Sequence, residues 1–268
     1  MALQNGRNSL VEKCRVCEET CEFRFEKKHL KQYQVKYFVC KNCESIQTEE
    51  PYWINEAYAM SHIFIDTGIC ERSRLTVRCA LALALITGFN KEDICIDIGG
   101  GTGLLTRNLR DYGLNAFWSD RYSTNVFAVG FEKTPSITER PKLLTAFEVF
   151  EHFPRPQEEV NALFSYQPDF LLISTKLYKH QDSSWWYFLN DGQHVQIYSR
   201  KGLAHLAEKH HYHFYTDNDC LHLFTKERQH EKIMKKIAKL HPKVEEKAKK
   251  RWCSRTEEDH KKLLLAFE

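Results

Sequence analysis

No stretch of the 268 residues is long and apolar enough to read as a membrane span. The run Cys79-Ala80-Leu81-Ala82-Leu83-Ala84-Leu85-Ile86 is short and begins beside Arg78, which suits a helix buried against a sheet. The opening Met1-Ala2-Leu3-Gln4-Asn5-Gly6-Arg7 lacks the hydrophobic region of a signal peptide. The chain therefore reads as cytoplasmic, with its ten cysteines serving as thiols or metal ligands before disulfides. A dominant charge is missing too: 39 Lys and Arg face 36 Asp and Glu. That balance argues neither for nucleic acid nor for an anionic membrane. Also absent is the Gly-Lys-Ser/Thr that would follow a glycine turn built for a nucleoside triphosphate.

What is present centres on Ile94-Cys95-Ile96-Asp97-Ile98-Gly99-Gly100-Gly101-Thr102-Gly103, with Leu104-Leu105-Thr106-Arg107-Asn108-Leu109 behind it. A β-rich run ends in an acid and glycines, and a helical pattern starts at once, which predicts strand, tight turn and helix N-terminus. Glycines let a ligand lie against the backbone without meeting a Cβ. A second predicted strand, Asn115 to Ser119, ends in Asp120, where a carboxylate can accept both hydroxyls of a ribose. The turn is not the Gly-x-Gly-x-x-Gly of a dinucleotide site. A predicted fourth strand, Lys142 to Phe147, leads into Glu148-Val149-Phe150-Glu151-His152-Phe153. The third strand is expected as a stub at most. Asp169 to Thr175 reads as a fifth strand, and Phe214-Tyr215 with Cys220 to Thr225 as a terminal hairpin.

Together these motifs resemble the class I S-adenosylmethionine-dependent methyltransferases over roughly Tyr52 to Lys226, most closely the small-molecule branch that includes quinone and sugar methylases. The resemblance implies an α/β, Rossmann-like sheet with helices on both faces. It places the cofactor against Asp97, Gly99, Gly100, Gly101, Thr102 and Gly103, with Asp120 and Arg121 toward the ribose and Phe147, Glu148 and Val149 toward the adenine or methionine portion.

Upstream, Cys14-Arg15-Val16-Cys17 and Cys40-Lys41-Asn42-Cys43 form two Cys-x-x-Cys knuckles around predicted strands, suiting a β-hairpin closed by one zinc ion. Four thiolates would leave no open position, so this zinc would be structural. Cys21 falls outside the knuckle register. Thr48 to Trp53 marks a boundary, giving a zinc-binding β module over 1–50, a cofactor domain over 51–226 and a charged helical extension over 227–268.

Methyl transfer is an in-line displacement that can need a base, and histidine suits that task near neutral pH. His152 follows the fourth strand; His194 lies in Asn190-Asp191-Gly192-Gln193-His194-Val195-Gln196-Ile197-Tyr198-Ser199, which resembles a segment after the fifth strand in a subset of these enzymes. Either could be the base, with Glu151 orienting it, or the three could gather a divalent metal. Substrate candidates are Tyr58, Asp66 and Arg72 from the segment before the first strand, and Trp186, Tyr187, Gln193 and Tyr198 beyond the fifth; lid packing is the alternative for the aromatics. The expected acceptor is a small molecule, a sugar, nucleotide-sugar or other secondary metabolite. The tail carries Ile233, Met234, Ile237 and Leu240 on an interrupted apolar face, suggesting a solvated extension that packs on a second copy. Its basic run has only Trp252 beside it, thin support for RNA as the methyl acceptor. A non-catalytic scaffold would not need the intact glycines and acids.

Overall fold

In the computed structural model, residues 11–59 and 66–265 are described. They form two sheets. The larger is built from β5 (Ile94–Ile98), β6 (Asn115–Ser119), β7 (Leu143–Phe147), β8 (Phe170–Ser174), β10 (His213–Thr216) and β11 (Leu221–Thr225), in the order β10-β11-β8-β7-β5-β6. Pairing is parallel through β6, β5, β7 and β8, and antiparallel from β8 outward through β11 to β10.

Side-chain alternation along these strands builds two cores. Leu143, Phe170 and Leu172 face a layer holding α2 (Ile69–Ile86) and α3 (Leu104–Asp111); Leu144, Ala146, Leu171 and Ile173 face α4 (Pro156–Ser165) and α5 (Arg200–Lys209). Strands buried on both faces read as continuous apolar runs, as these do. The anticipated third strand survives only as a bridge between Trp118 and Glu132.

The smaller sheet runs β1-β2-β3-β4-β9, from β1 (Val11–Lys13), β2 (Thr20–His29), β3 (Tyr33–Cys40), β4 (Ile46–Thr48) and β9 (Gln196–Ile197). Its last strand comes from far downstream, with Ile46 opposite Ile197. The expected hairpin is thus β2–β3; α1 (Ile54–Ala59) follows the sheet, and Trp53 and Ala57 pack in one cluster with Val35 and Tyr37 of β3. Met60, which directly follows α1, lies outside the described residues.

The tail differs from the solvated extension expected of it. Helices α6 (Ile233–Leu240), α7 (Val244–Arg251) and α8 (Thr256–Leu265) follow the hairpin, and Ile233, Met234, Ile237, Val244, Ala248 and Trp252 are buried in the same core as α2 and α3. Asp259 on α8 receives the buried Arg110 side chain in two bonds, Nε at 2.8 Å and an outer nitrogen at 2.5 Å. The guanidinium also lies 3.8 Å from the Phe131 ring centre. Such a fork is the geometry in which a buried ion pair holds. Among the described residues no helix is long and apolar enough to cross a membrane.

Candidate active site

The glycine turn follows β5 at the carboxyl end of the parallel strands, where open α/β sheets bind ligands. Gly99, Gly101 and Gly103 hold φ of 66°, 54° and 84°. Two of them are also pressed by neighbours: a Cβ on Gly99 would lie 2.5 Å from Val149, and one on Gly103 2.5 Å from Asn125. At Gly101 such a Cβ would meet nothing within 4 Å, so the turn presents bare backbone to open space there. That cradle fits a ligand lying flat on the chain. The Thr102 carbonyl accepts the Val126 and Phe127 N–H groups, so its backbone is tied to the following loop.

The two acids divide the work. Asp97 is buried, and its oxygens accept the hydroxyls of Thr145 at 2.8 Å and Thr106 at 3.3 Å. Burial pushes its carboxyl up to about 7, against the pull of those two hydroxyls. It therefore braces the strand ends from within. Asp120 is half-buried at the end of β6; it accepts the Gly101 N–H at 2.9 Å, and its other oxygen accepts the N–H groups of Tyr122 and Ser123. Three backbone donors fix this carboxylate beside the open cradle. Arg121 is exposed. Trp118, which the sequence did not single out, donates its Nε1–H to the Gly101 carbonyl at 3.0 Å. Its signal was position alone, two residues before Asp120.

From β7 the chain runs directly into the second part of the site. Glu148 takes φ of 54°, and its carboxylate accepts the Ser174 hydroxyl at 2.6 Å. Val149 touches Gly99, and its carbonyl accepts the His152 N–H at 3.0 Å. Val149, which lies against the glycine turn, is thus one turn of chain from the histidine. His152 and His194 meet edge to face with ring centres 5.0 Å apart. Donor atoms of Glu151, His152 and His194 lie within 4.8 Å of one another, close enough to share one proton-bearing atom or one cation.

Protonation follows from burial. His194 Nδ1 lies 2.9 Å from the Tyr187 carbonyl, which can only accept, so Nδ1 carries the proton and Nε2 keeps its lone pair. Desolvation holds His194 well below the usual imidazole range and His152 down to about 4, so both are neutral near pH 7. Glu151 is pushed up to about 8, first by burial and then by the Glu148 charge, with the Tyr187 hydrogen bond opposing. One Glu151 oxygen and His152 Nδ1 are buried without a partner. A buried polar atom left so is costly unless something occupies the gap.

The substrate candidates separate into two groups. Tyr58 on α1 is brought in: its ring stacks on Tyr122 at 5.0 Å and lies 6.3 Å from His152. Tyr187 and Tyr198, both substrate candidates, lie in the interior. Tyr187 is 1% exposed and donates its hydroxyl to Glu151 at 2.5 Å, while Tyr198 packs on Phe150 beneath the site. Apolar flanking residues pull both rings inward, which the loop-like local pattern did not reveal. Trp186 is 63% exposed, edge-on to Tyr187. The Gln193 amide donates to the Ala57 carbonyl at 2.9 Å. Asp66 and Arg72 are paired with each other at the start of α2.

The four knuckle cysteines also converge. Sγ atoms of Cys14 and Cys43 are 3.6 Å apart, and those of Cys17 and Cys40 3.4 Å. Tetrahedral zinc with bonds of about 2.3 Å would set its sulfurs about 3.8 Å apart, so this donor set fits the ion. The Cys43 N–H points at the Cys40 sulfur, orienting it as a ligand. Cys21, buried next to Cys14, stays outside the four.

A family model described as a methyltransferase domain matches residues 72–214, more than half of the chain. No curated protein matches it. Among solved structures, CalO1, a methyltransferase in calicheamicin biosynthesis with SAH bound, is similar at 14% identity and TM-score 0.38, covering 57% of this chain and 55% of its own. This chain thus spans little more than half of that relative. Magnesium protoporphyrin IX methyltransferase from Synechocystis PCC 6803 gives 14%, 0.41, 63% and 90% in the same order. The plantazolicin methyltransferase BpumL gives 11%, 0.47, 66% and 95%. Because the family match takes in the glycine turn, both acids and the histidine pair, the chain belongs to the methyltransferase domain family.

Proposed function

We propose that the chain transfers a methyl group from S-adenosylmethionine to a small-molecule acceptor of the sugar, nucleotide-sugar or secondary-metabolite class, with the histidine pair receiving the acceptor's proton. One observation carries this reading: Val149 lies against Gly99 while His152, on the same turn of chain, faces His194. The cofactor cradle and a neutral imidazole pair are therefore adjacent.

The cofactor supplies an electrophilic methyl group on a sulfonium. Gly101 offers bare backbone to it, Asp120 the ribose acceptor, and Phe147 to Val149 the flank. His194 Nε2 holds the lone pair that takes the proton, and the Tyr187 carbonyl stabilises the imidazolium through Nδ1–H. Glu151, neutral near pH 7, keeps an opposing negative charge from pinning the pair in its protonated form. Tyr122, exposed and stacked on Tyr58, offers its outer ring face to a sugar or aromatic acceptor. Zinc on Cys14, Cys17, Cys40 and Cys43 would be structural, and thiolate ligation suits a reducing cytoplasm.

Calorimetry with S-adenosylhomocysteine tests the reading, with binding at the strand ends expected. Absence of heat with either sulfur cofactor overturns it.

A further inference from the structure

The segment carrying His194 is held by the N-terminal sheet almost residue by residue. The Asn190 carbonyl accepts the Leu30 N–H at 2.8 Å, and the Gly192 carbonyl accepts Trp53 Nε1–H at 2.9 Å. Gln193 is tied to Ala57, and the Val195 carbonyl accepts the Thr48 N–H at 3.0 Å. Gln196 and Ile197 then pair with β4, and Ser199 donates to the carbonyl of Cys43, a knuckle cysteine. Gly192, at φ 77°, is pressed so closely that a Cβ there would lie 2.7 Å from the indole nitrogen of Trp53. Toward the cofactor sheet this segment is joined by Val195 N–H on the Glu151 carbonyl at 2.9 Å.

We propose that the N-terminal sheet together with the Trp53–α1 segment behind it is the positioning element for His194: Trp53 at one end and the Cys43 turn at the other fix where the imidazole stands against His152. The inference rests on the proposed role of His194. Misplacing a reacting group by about 1 Å can cost about 100-fold in rate, so such a template bears on turnover without touching the cofactor. Trp53 is accordingly a positioning residue.

Trp53→Phe in the full chain tests this, because it keeps an aromatic ring and deletes the donor to Gly192. Two readouts independent of acceptor chemistry are S-adenosylhomocysteine affinity by calorimetry and the His194 ring signals by NMR, assigned through their loss in His194→Gln. The expected result is unchanged cofactor affinity with loss or shift of the His194 Nδ1–H signal. An unmoved signal in the folded variant overturns the proposal. Should Trp53→Phe fail to fold, Gln193→Ala deletes the neighbouring tie to Ala57 and must move the same signal; an unmoved signal there overturns it equally. If the wild-type chain gives no cofactor heat, the methyltransferase reading fails while the His194 signals still decide the positioning.

Discussion

The two sheets reach stability by different means. The larger has parallel strands covered on both faces, and its stability comes from apolar side chains alternating into two cores. The smaller is antiparallel, and its own cluster is rich in aromatics, with Tyr37, Trp53, Tyr187 and Phe188 buried together. It adds four converging thiols at one end and a borrowed strand at its edge. A short sheet buries little surface of its own, so the donated strand adds to it, and metal on the four thiols would add more. The large sheet carries the glycine turn, and the small one takes its last strand from the segment that carries His194.

The sharpest way to break this contrast is Cys40→Ser. Metal-linked folding free energy in small thiolate modules is on the order of 10 kcal/mol or more. Loss of bound zinc and early proteolysis within 11–50 are expected, with cofactor affinity retained. On the other side, Asp259→Ala strands the Arg110 guanidinium beneath the large sheet. Removing one partner of a buried pair costs about 3–5 kcal/mol, which urea unfolding would read, with zinc content unchanged. Asp120→Ala should weaken S-adenosylhomocysteine by about 1.5–3 kcal/mol, the usual worth of hydrogen bonds to a charged group. Unaltered affinity would remove Asp120 from the ribose.

A separate test is the pH dependence of Glu151. Its folded value, about 8, lies above the ordinary 4.5, so its contribution to stability is complete below pH 4.5 and lost as pH rises toward 8. Compared with Glu151→Gln, the wild type should lose melting temperature between those limits. A constant difference across that range would mean Glu151 stays ionised. His152 acts oppositely: its folded value, about 4, lies below 6.5, so its contribution is complete above 6.5 and falls away toward 4.

Strands β5 to β8 and the glycine turn were legible because short apolar runs bounded by polar residues, acids or glycine are local signals. Cysteine spacing announced the knuckles in the same way. The pairing of Gln196 with β4 was not legible: its amide reaches the Ile46 carbonyl across 150 residues, and a two-residue strand has no periodicity to detect. Tyr187 was misplaced for a related reason, since its partners Glu151 and Lys176 come from other parts of the chain. The tail looked solvated because its charges outnumber its apolar residues, yet few buried side chains were enough to seat it.

The borrowed strand also bears on synthesis. Residues 11–48 leave the ribosome well before β9, so their sheet has no strand beside β4 on that side until Ile197 has emerged. Arg110 likewise waits for Asp259. A nascent chain stalled between those positions would expose the β4 edge that β9 later covers and a guanidinium still lacking its carboxylate.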